Sequence, residues 1–244
     1  MPRFFVKPSD ISEDGVIIRG DDAFHIARSL RMAVGDEVAV CDGEGNDYLS
    51  VLTKIRDNEC EGKIIRKLEA KSESPVNITL YMAYPKSDKL ETVVQKAVEL
   101  GASLVVPFES SRCIKRPSPE KAAKNTERLT RIATEAGKQC GRSRLTKVRE
   151  PIRFEELLGE IASYSLTLFC YEGEGTVSLK RVLEEHSEVR DIAVIIGSEG
   201  GFSPEEAEKI AERGAISVNL GPRILRCETA PDYCLSAISY YFEL

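Results

Sequence analysis

The chain has 244 residues, 42% apolar and 30% charged, with a net charge of −6 at neutral pH, which suits one or two domains with a buried core. No apolar run is long enough to span a membrane, and Met1-Pro2-Arg3-Phe4-Phe5 lacks the charged-then-apolar pattern of an export signal, so a soluble cytoplasmic protein is expected. Seven cysteines without a C-x-x-C pair, and only His25 and His186, leave little for a zinc site or a Ser-His-Asp triad, so reduced thiols and no metal are expected.

Residues 1 to about 70 read as short β segments: Gly15 to Arg19, Glu37 to Cys41, Asp47 to Leu52 and Glu61 to Ile65. Asp42-Gly43-Glu44-Gly45-Asn46 is a hairpin turn signal between the second and third. With one helix around Asp22 to Arg31, the pattern is that of a small β-barrel. Polar Lys71-Ser72-Glu73-Ser74-Pro75 marks a boundary between a domain of residues 1–72 and one of residues 73–244. After it, strands alternate with helices: strand Val76 to Ala83, helix Asp88 to Leu100, strand Ser103 to Val106, and a long helix from about Ser118 to Cys140. Next come strand Ser165 to Tyr171, helix Val177 to His186, strand Ile192 to Ile196, helix Pro204 to Arg213, strand Ala215 to Leu220 and a helix from Pro231. Such alternation predicts an α/β fold, a parallel sheet flanked by helices. Ser203-Pro204-Glu205-Glu206 is a capping box that fixes one helix start.

Two stretches stand out: Ile196-Gly197-Ser198-Glu199-Gly200-Gly201-Phe202 and Leu220-Gly221-Pro222-Arg223-Ile224-Leu225-Arg226-Cys227-Glu228-Thr229-Ala230. Each follows an apolar strand and opens a helix, which is where open α/β sheets place ligands. Two such loops predict one pocket walled by both. No Gly-Lys-Ser/Thr follows Gly201, so a P-loop is excluded. Tyr171-Glu172-Gly173-Glu174-Gly175 lacks the third glycine of a dinucleotide turn, but can add a loop to the pocket. Backbone groups with apolar Ile224 and Leu225 suit an uncharged heterocycle such as adenine.

Charge is unevenly distributed. Residues 111–149 hold 12 basic and 3 acidic side chains, net +9, whereas residues 150–244 hold 8 and 18, net −10. The basic segment, including Arg112, Lys115, Arg116, Arg128, Arg131, Lys138, Arg142 and Arg144, reads as a phosphate-binding surface. Arg128, Arg131 and Lys138 fall near one stripe of the long helix.

The two loops together resemble the 16S ribosomal RNA uridine-N3 methyltransferase family, of the SPOUT (α/β-knot) superfamily. So do Met1 to Phe5, His25 to Arg31 with Gly35-Asp36, Pro85-Lys86, Gln95 to Gly101 and Arg131 to Arg142. Ser198 stands where the family usually has proline, and Ser29 where it usually has valine. The resemblance implies an RNA-binding PUA-like β-barrel, then a parallel sheet whose C-terminal segment forms a trefoil knot. It also implies a homodimer, the small ribosomal subunit and its 16S rRNA as partner, and S-adenosyl-L-methionine as cofactor. The cofactor would lie among Tyr171, Glu172 and Gly173; Ile196, Gly197, Glu199, Gly200, Gly201 and Phe202; and Leu220, Gly221, Ile224, Leu225, Arg226, Thr229 and Ala230. Another RNA position, ribose 2′-O included, and a non-catalytic assembly factor are the alternatives.

Methylating uracil N3 requires its proton to leave. Glu199 and Glu228 are the carboxylates within the two loops and so are candidate bases, or else braces for the loops. Arg223 and Arg226 are candidates for holding phosphate or stabilising charge on the uracil oxygens, or for pairing with Glu228. RNA contacts are expected from Arg3, Arg28 and Arg31 of the barrel and from Lys86, Arg112, Arg131 and Arg142. The apolar last helix predicts packing on the sheet and on a second copy.

Overall fold

The computed structural model describes residues 1–114 and 116–244, so Lys115 of the basic segment lies outside the described residues. The chain forms two compact units, Met1–Glu73 with Gly137–Leu145, and Ser74–Ala136 with Thr146–Leu244. Reading residues 1–72 as one domain did not anticipate that 137–145 join them.

The first unit contains β1 (Arg3–Phe5), β2 (Gly15–Arg19), β3 (Glu37–Cys41), β4 (Asp47–Ile55) and β5 (Glu59–Leu68), paired in the order β1-β3-β4-β5-β2. β1 runs parallel to β3 and the other pairs are antiparallel. Register shifts after Leu49 and Leu52 bend β4 against β5. Phe4 of one edge strand and Ile18 of the other share an apolar cluster with Val38, Val40 and Leu52. The sheet therefore curls over a single core, as a small barrel should. A short helix, α1 (Asp21–Phe24), continues as a π-helical turn, His25–Ser29, which buries Ala23 and Ile26 and leaves Phe24, His25 and Arg28 exposed. The expected helix ends before Arg31, whose φ is +51°.

Two of the arginines expected on RNA are internal ties of this unit. Arg142 is buried and pairs with Glu73 at 2.9 Å; the same carboxylate accepts the main-chain N–H groups of Ser143 and Arg144. Arg3 pairs with buried Asp47 at 2.7 Å and donates to the Arg142 carbonyl. Lys138, expected on the phosphate stripe, pairs with Asp22 at 2.7 Å. Guanidinium groups in such places close buried networks, and surface phosphate contacts are not what they offer.

In the second unit, β6 (Asn77–Ala83), α2 (Lys89–Glu99), β7 (Leu104–Glu109) and α3 (Pro119–Cys140) come first. They are followed by β8 (Lys147–Val148), β9 (Ile152–Arg153), α4 (Phe154–Glu160), β10 (Leu166–Cys170), β11 (Val177–Ser178) and α5 (Leu179–Glu185). Last are β12 (Asp191–Ile196), α6 (Pro204–Glu212), β13 (Ile216–Asn219) and α7 (Thr229–Glu243). Every strand pair is parallel, in the order β11-β13-β10-β12-β6-β7-β8, with β9 also on β7. β6, β10 and β12 are buried almost throughout, which requires the continuous apolar runs seen in their sequences. Because β10 lies between β12 and β13, the two glycine loops do not leave neighbouring strands. The loop after β10 fills the interval.

Of α7, Cys234, Leu235 and Ile238 are buried, while Tyr233 and Tyr240 are 47% and 72% exposed. Among the described residues, no helix is long and apolar enough to cross a membrane, and no group of three His, Cys, Asp or Glu side chains is placed to hold a metal.

Candidate active site

The loops after β10, β12 and β13 enclose a cleft of two lobes, about 210 and 420 Å³. Tyr171, Leu220, Gly221 and Arg223 line the smaller lobe, and Ile196, Gly197, Glu199, Gly201 and Arg226 the larger. Glu172, Ile224, Leu225 and Ala230 line both, so the lobes are two parts of one site. The expected pocket therefore assembles around most of the residues read from the sequence. Four of the residues expected at the cofactor stand outside its lining, as does the candidate base Glu228. Phe202 is buried below its loop, with ring centroids 4.9 Å from Phe169 and 6.2 Å from Phe108, and so anchors the loop. Gly200 faces the Arg112 backbone, Gly173 faces the Tyr171 ring, and Thr229 opens α7.

Local geometry explains the glycines at two positions. Gly201 has φ +63°, and a Cβ there would stand 2.5 Å from Glu172 Oε1. Gly221 has φ +101° and open space where its Cβ would be. Side chains rarely adopt either conformation. The 197–202 loop is closed by Gly201 N–H donating to the Ser198 carbonyl at 2.9 Å, and α6 begins with the predicted capping box on Ser203 and Glu206.

Among the described residues, the main-chain N–H groups of Arg223, Ile224 and Leu225 donate no hydrogen bond. The side chains of Arg223 and Arg226 also make no ion pair there. The Ser198 hydroxyl is buried and lacks a partner among the described residues. Main-chain donors at the rim, the Ser198 hydroxyl in the larger lobe, apolar Val218 in the smaller and Leu225 in both suit a polar heterocycle.

Sequence reasoning missed Lys89. Its ammonium lies 2.9 Å from Glu199 and 3.0 Å from Glu228, joining the two glycine loops from the first residue of α2. Glu199 also accepts the main-chain N–H of Lys86. Burial pushes both carboxyls up, but the Lys89 hydrogen bond, reinforced by main-chain donors, outweighs it and holds them below the ordinary glutamate range. The two carboxylates in turn raise Lys89. Depressed carboxylates are weak bases, and the shared ammonium ties the two loops to the start of α2. Burial pushes the neighbouring Cys227 thiol up to about 12, leaving it protonated. The signal that could have found Lys89 is its place on the first turn of a helix opening beside the sheet's ligand edge.

Of the remaining expected RNA contacts, Arg28 is exposed and held by Asp57 through two hydrogen bonds of 2.9 and 2.6 Å. Arg31, Lys86 and Arg131 are exposed. Arg112 is exposed and donates to the Gly200 carbonyl at 3.1 Å, tying the basic segment to the loop.

A family model described as the RNA methyltransferase domain matches residues 72–239. This chain belongs to the RNA methyltransferase family. A second model, the RNA methyltransferase PUA domain, matches residues 18–65, the stretch from β2 to β5. The chain is 32% identical to ribosomal RNA small subunit methyltransferase E of Bacillus subtilis, covering 100% of this chain and 98% of the relative. Ribosomal RNA small subunit methyltransferase E of Neisseria gonorrhoeae, solved with bound S-adenosyl methionine, superposes with a TM-score of 0.86 at 30% identity, covering 99% and 98% of the two chains. A methyltransferase structure from Legionella pneumophila, in complex with the cofactor SAM, gives 0.86 at 28% identity, covering 98% and 96%. The cleft of this RNA methyltransferase thus belongs to the matched domain, at the C-terminal edge of its sheet.

Proposed function

We propose that this RNA methyltransferase transfers a methyl group from S-adenosyl-L-methionine to N3 of a uridine in 16S rRNA of the small ribosomal subunit, in the cytoplasm. The observation that carries the reading is the two-lobed cleft whose walls offer unpartnered main-chain donors at Arg223, Ile224 and Leu225. Those donors, with apolar Val218 and Leu225, fit an adenine ring, and the open space before Gly221 leaves room for it. When bound, S-adenosyl-L-methionine supplies an electrophilic methyl group. The chain's own residues orient the reactants and manage charge. Lys89 fixes both loops through Glu199 and Glu228. Arg226, at the larger lobe and without an ion pair among the described residues, donates to a uracil oxygen as N3 loses its proton to water, so stabilising the anion replaces a strong base. Holding N3 in line supplies much of the remaining rate.

Arg131, Arg112, Lys86, Arg31 and Arg28 are exposed cations suited to rRNA phosphates. The exposed tyrosines of α7 suit a two-fold contact with a second copy, and the knotted path of the C-terminal segment belongs to the same reading. Tyr240→Glu should give a monomer by sedimentation. Ile238, buried within the protomer, is a core position and not a probe of that contact. The test of function is mass spectrometry of small-subunit RNA from cells lacking the protein. One 3-methyluridine should disappear; an unchanged set of base methylations would refute the assignment.

A further inference from the structure

The acids around the cleft differ in what faces them. Glu199 and Glu228 share Lys89, whereas Glu172 makes no hydrogen bond or ion pair among the described residues. The backbone that carries it is nonetheless anchored. Tyr171 N–H donates to the Val218 carbonyl at 3.1 Å, rooting the loop in the sheet immediately before Glu172. The carboxylate occupies the space in front of Gly201, where a Cβ would come within 2.5 Å of Oε1, so the absent side chain at 201 makes room for it. Glu172 also lines both lobes and so stands at their junction. Lys89, the ammonium of the larger lobe, is already matched by two carboxylates and does not pair with Glu172; the other cations of the lining, Arg223 in the smaller lobe and Arg226 in the larger, form no ion pair with it either. An unpaired carboxylate in a partly enclosed cleft favours a cationic ligand over a neutral one of the same shape.

We propose that Glu172 recognises the positive charge of the methyl donor, binding the sulfonium of S-adenosyl-L-methionine in preference to the neutral thioether left after transfer. This rests on the reading of the cleft as the donor site. In the transfer the N3 electron pair forms the new C–N bond, the C–S bond breaks with its pair remaining on sulfur, and the N3 proton passes to water. The charge facing Glu172 is lost in that event. Attraction present before transfer is absent after it, so the spent cofactor leaves more readily than the donor.

Calorimetry with S-adenosyl-L-methionine and with S-adenosylhomocysteine, on the wild-type chain, Glu172→Gln and Glu172→Asp, tests this. The wild type should bind the sulfonium about tenfold more tightly than the thioether. Glu172→Gln should lose about that factor for the sulfonium alone, and Glu172→Asp should recover part of it. Melting temperatures should be unchanged, because the residue is exposed. An equal loss for both ligands would mean that Glu172 holds a group common to both, such as the amino end, and would overturn the proposal. So would affinities that do not change, or a wild type that binds both ligands alike. Binding of neither ligand to the wild type would overturn the donor-site reading itself, and the proposal with it.

Discussion

Around the cleft, Glu172, Arg223 and Arg226 stand without ionic partners among the described residues, whereas at least four cations of residues 111–149 are matched by carboxylates of the same chain. Lys138 holds Asp22, Arg142 holds Glu73, Arg128 holds Glu91, and Arg149 makes a two-pronged pair with Glu160. Only part of the stripe on α3 stays available, with Lys121, Lys124 and Arg131 exposed. A segment's net charge therefore measures poorly what it offers a ligand. Three unpaired groups lining a cleft say more than a surplus of nine charges along a segment.

The sharpest break of this comparison is Gly201→Val. A side chain there meets the Glu172 carboxylate and a φ of +63°, so cofactor binding should fall by at least about a hundredfold, while circular dichroism stays native. Tight binding by a folded variant would remove the loop from the site. Next comes Arg142→Met, which leaves Glu73 without its cation in a largely buried network and should cost about 3–5 kcal/mol in denaturant unfolding. Arg131→Glu should leave stability alone but weaken binding to small-subunit rRNA and flatten its salt dependence. If the two variants behaved alike, the division into internal and available cations would be wrong.

Lys89→Met should weaken cofactor binding a few-fold, up to about tenfold, by releasing both loops. The pH dependence has a definite sign. Glu199 and Glu228 titrate below their ordinary value, so the clamp is intact above about 4.5 and is lost as pH falls through the depressed values. Cofactor affinity of the wild type should drop in that acid window, and Lys89→Met should show a smaller drop, because it no longer has the clamp to lose. An acid loss of the same size in the variant would place its origin elsewhere.

Much of the architecture was legible because it rests on local pattern. Glu37–Cys41 and Gly15–Arg19 have the predicted bounds, and the capping box places α6 correctly. The two-residue strands β8 and β9 and the seven-residue helix α4 carry too few side chains to show a period, and none was expected. β1 was missed because three residues pair in parallel with a strand far along the chain. The pocket's glycines and apolar residues were legible for the same local reason. Lys89 was not, since its partners lie at positions 199 and 228 and meet it only through the sheet order. Phe202 was expected in the lining because its loop borders the cleft, yet its side chain turns inward to Phe169.

The most direct test of the account supplies purified protein with labelled S-adenosyl-L-methionine and small ribosomal subunits from cells lacking it, then locates the methyl group by mass spectrometry of the digested RNA. The account predicts one 3-methyluridine per subunit with the wild type and none with Gly201→Val. Label on a ribose, label on another base, or equal transfer by the variant would contradict it.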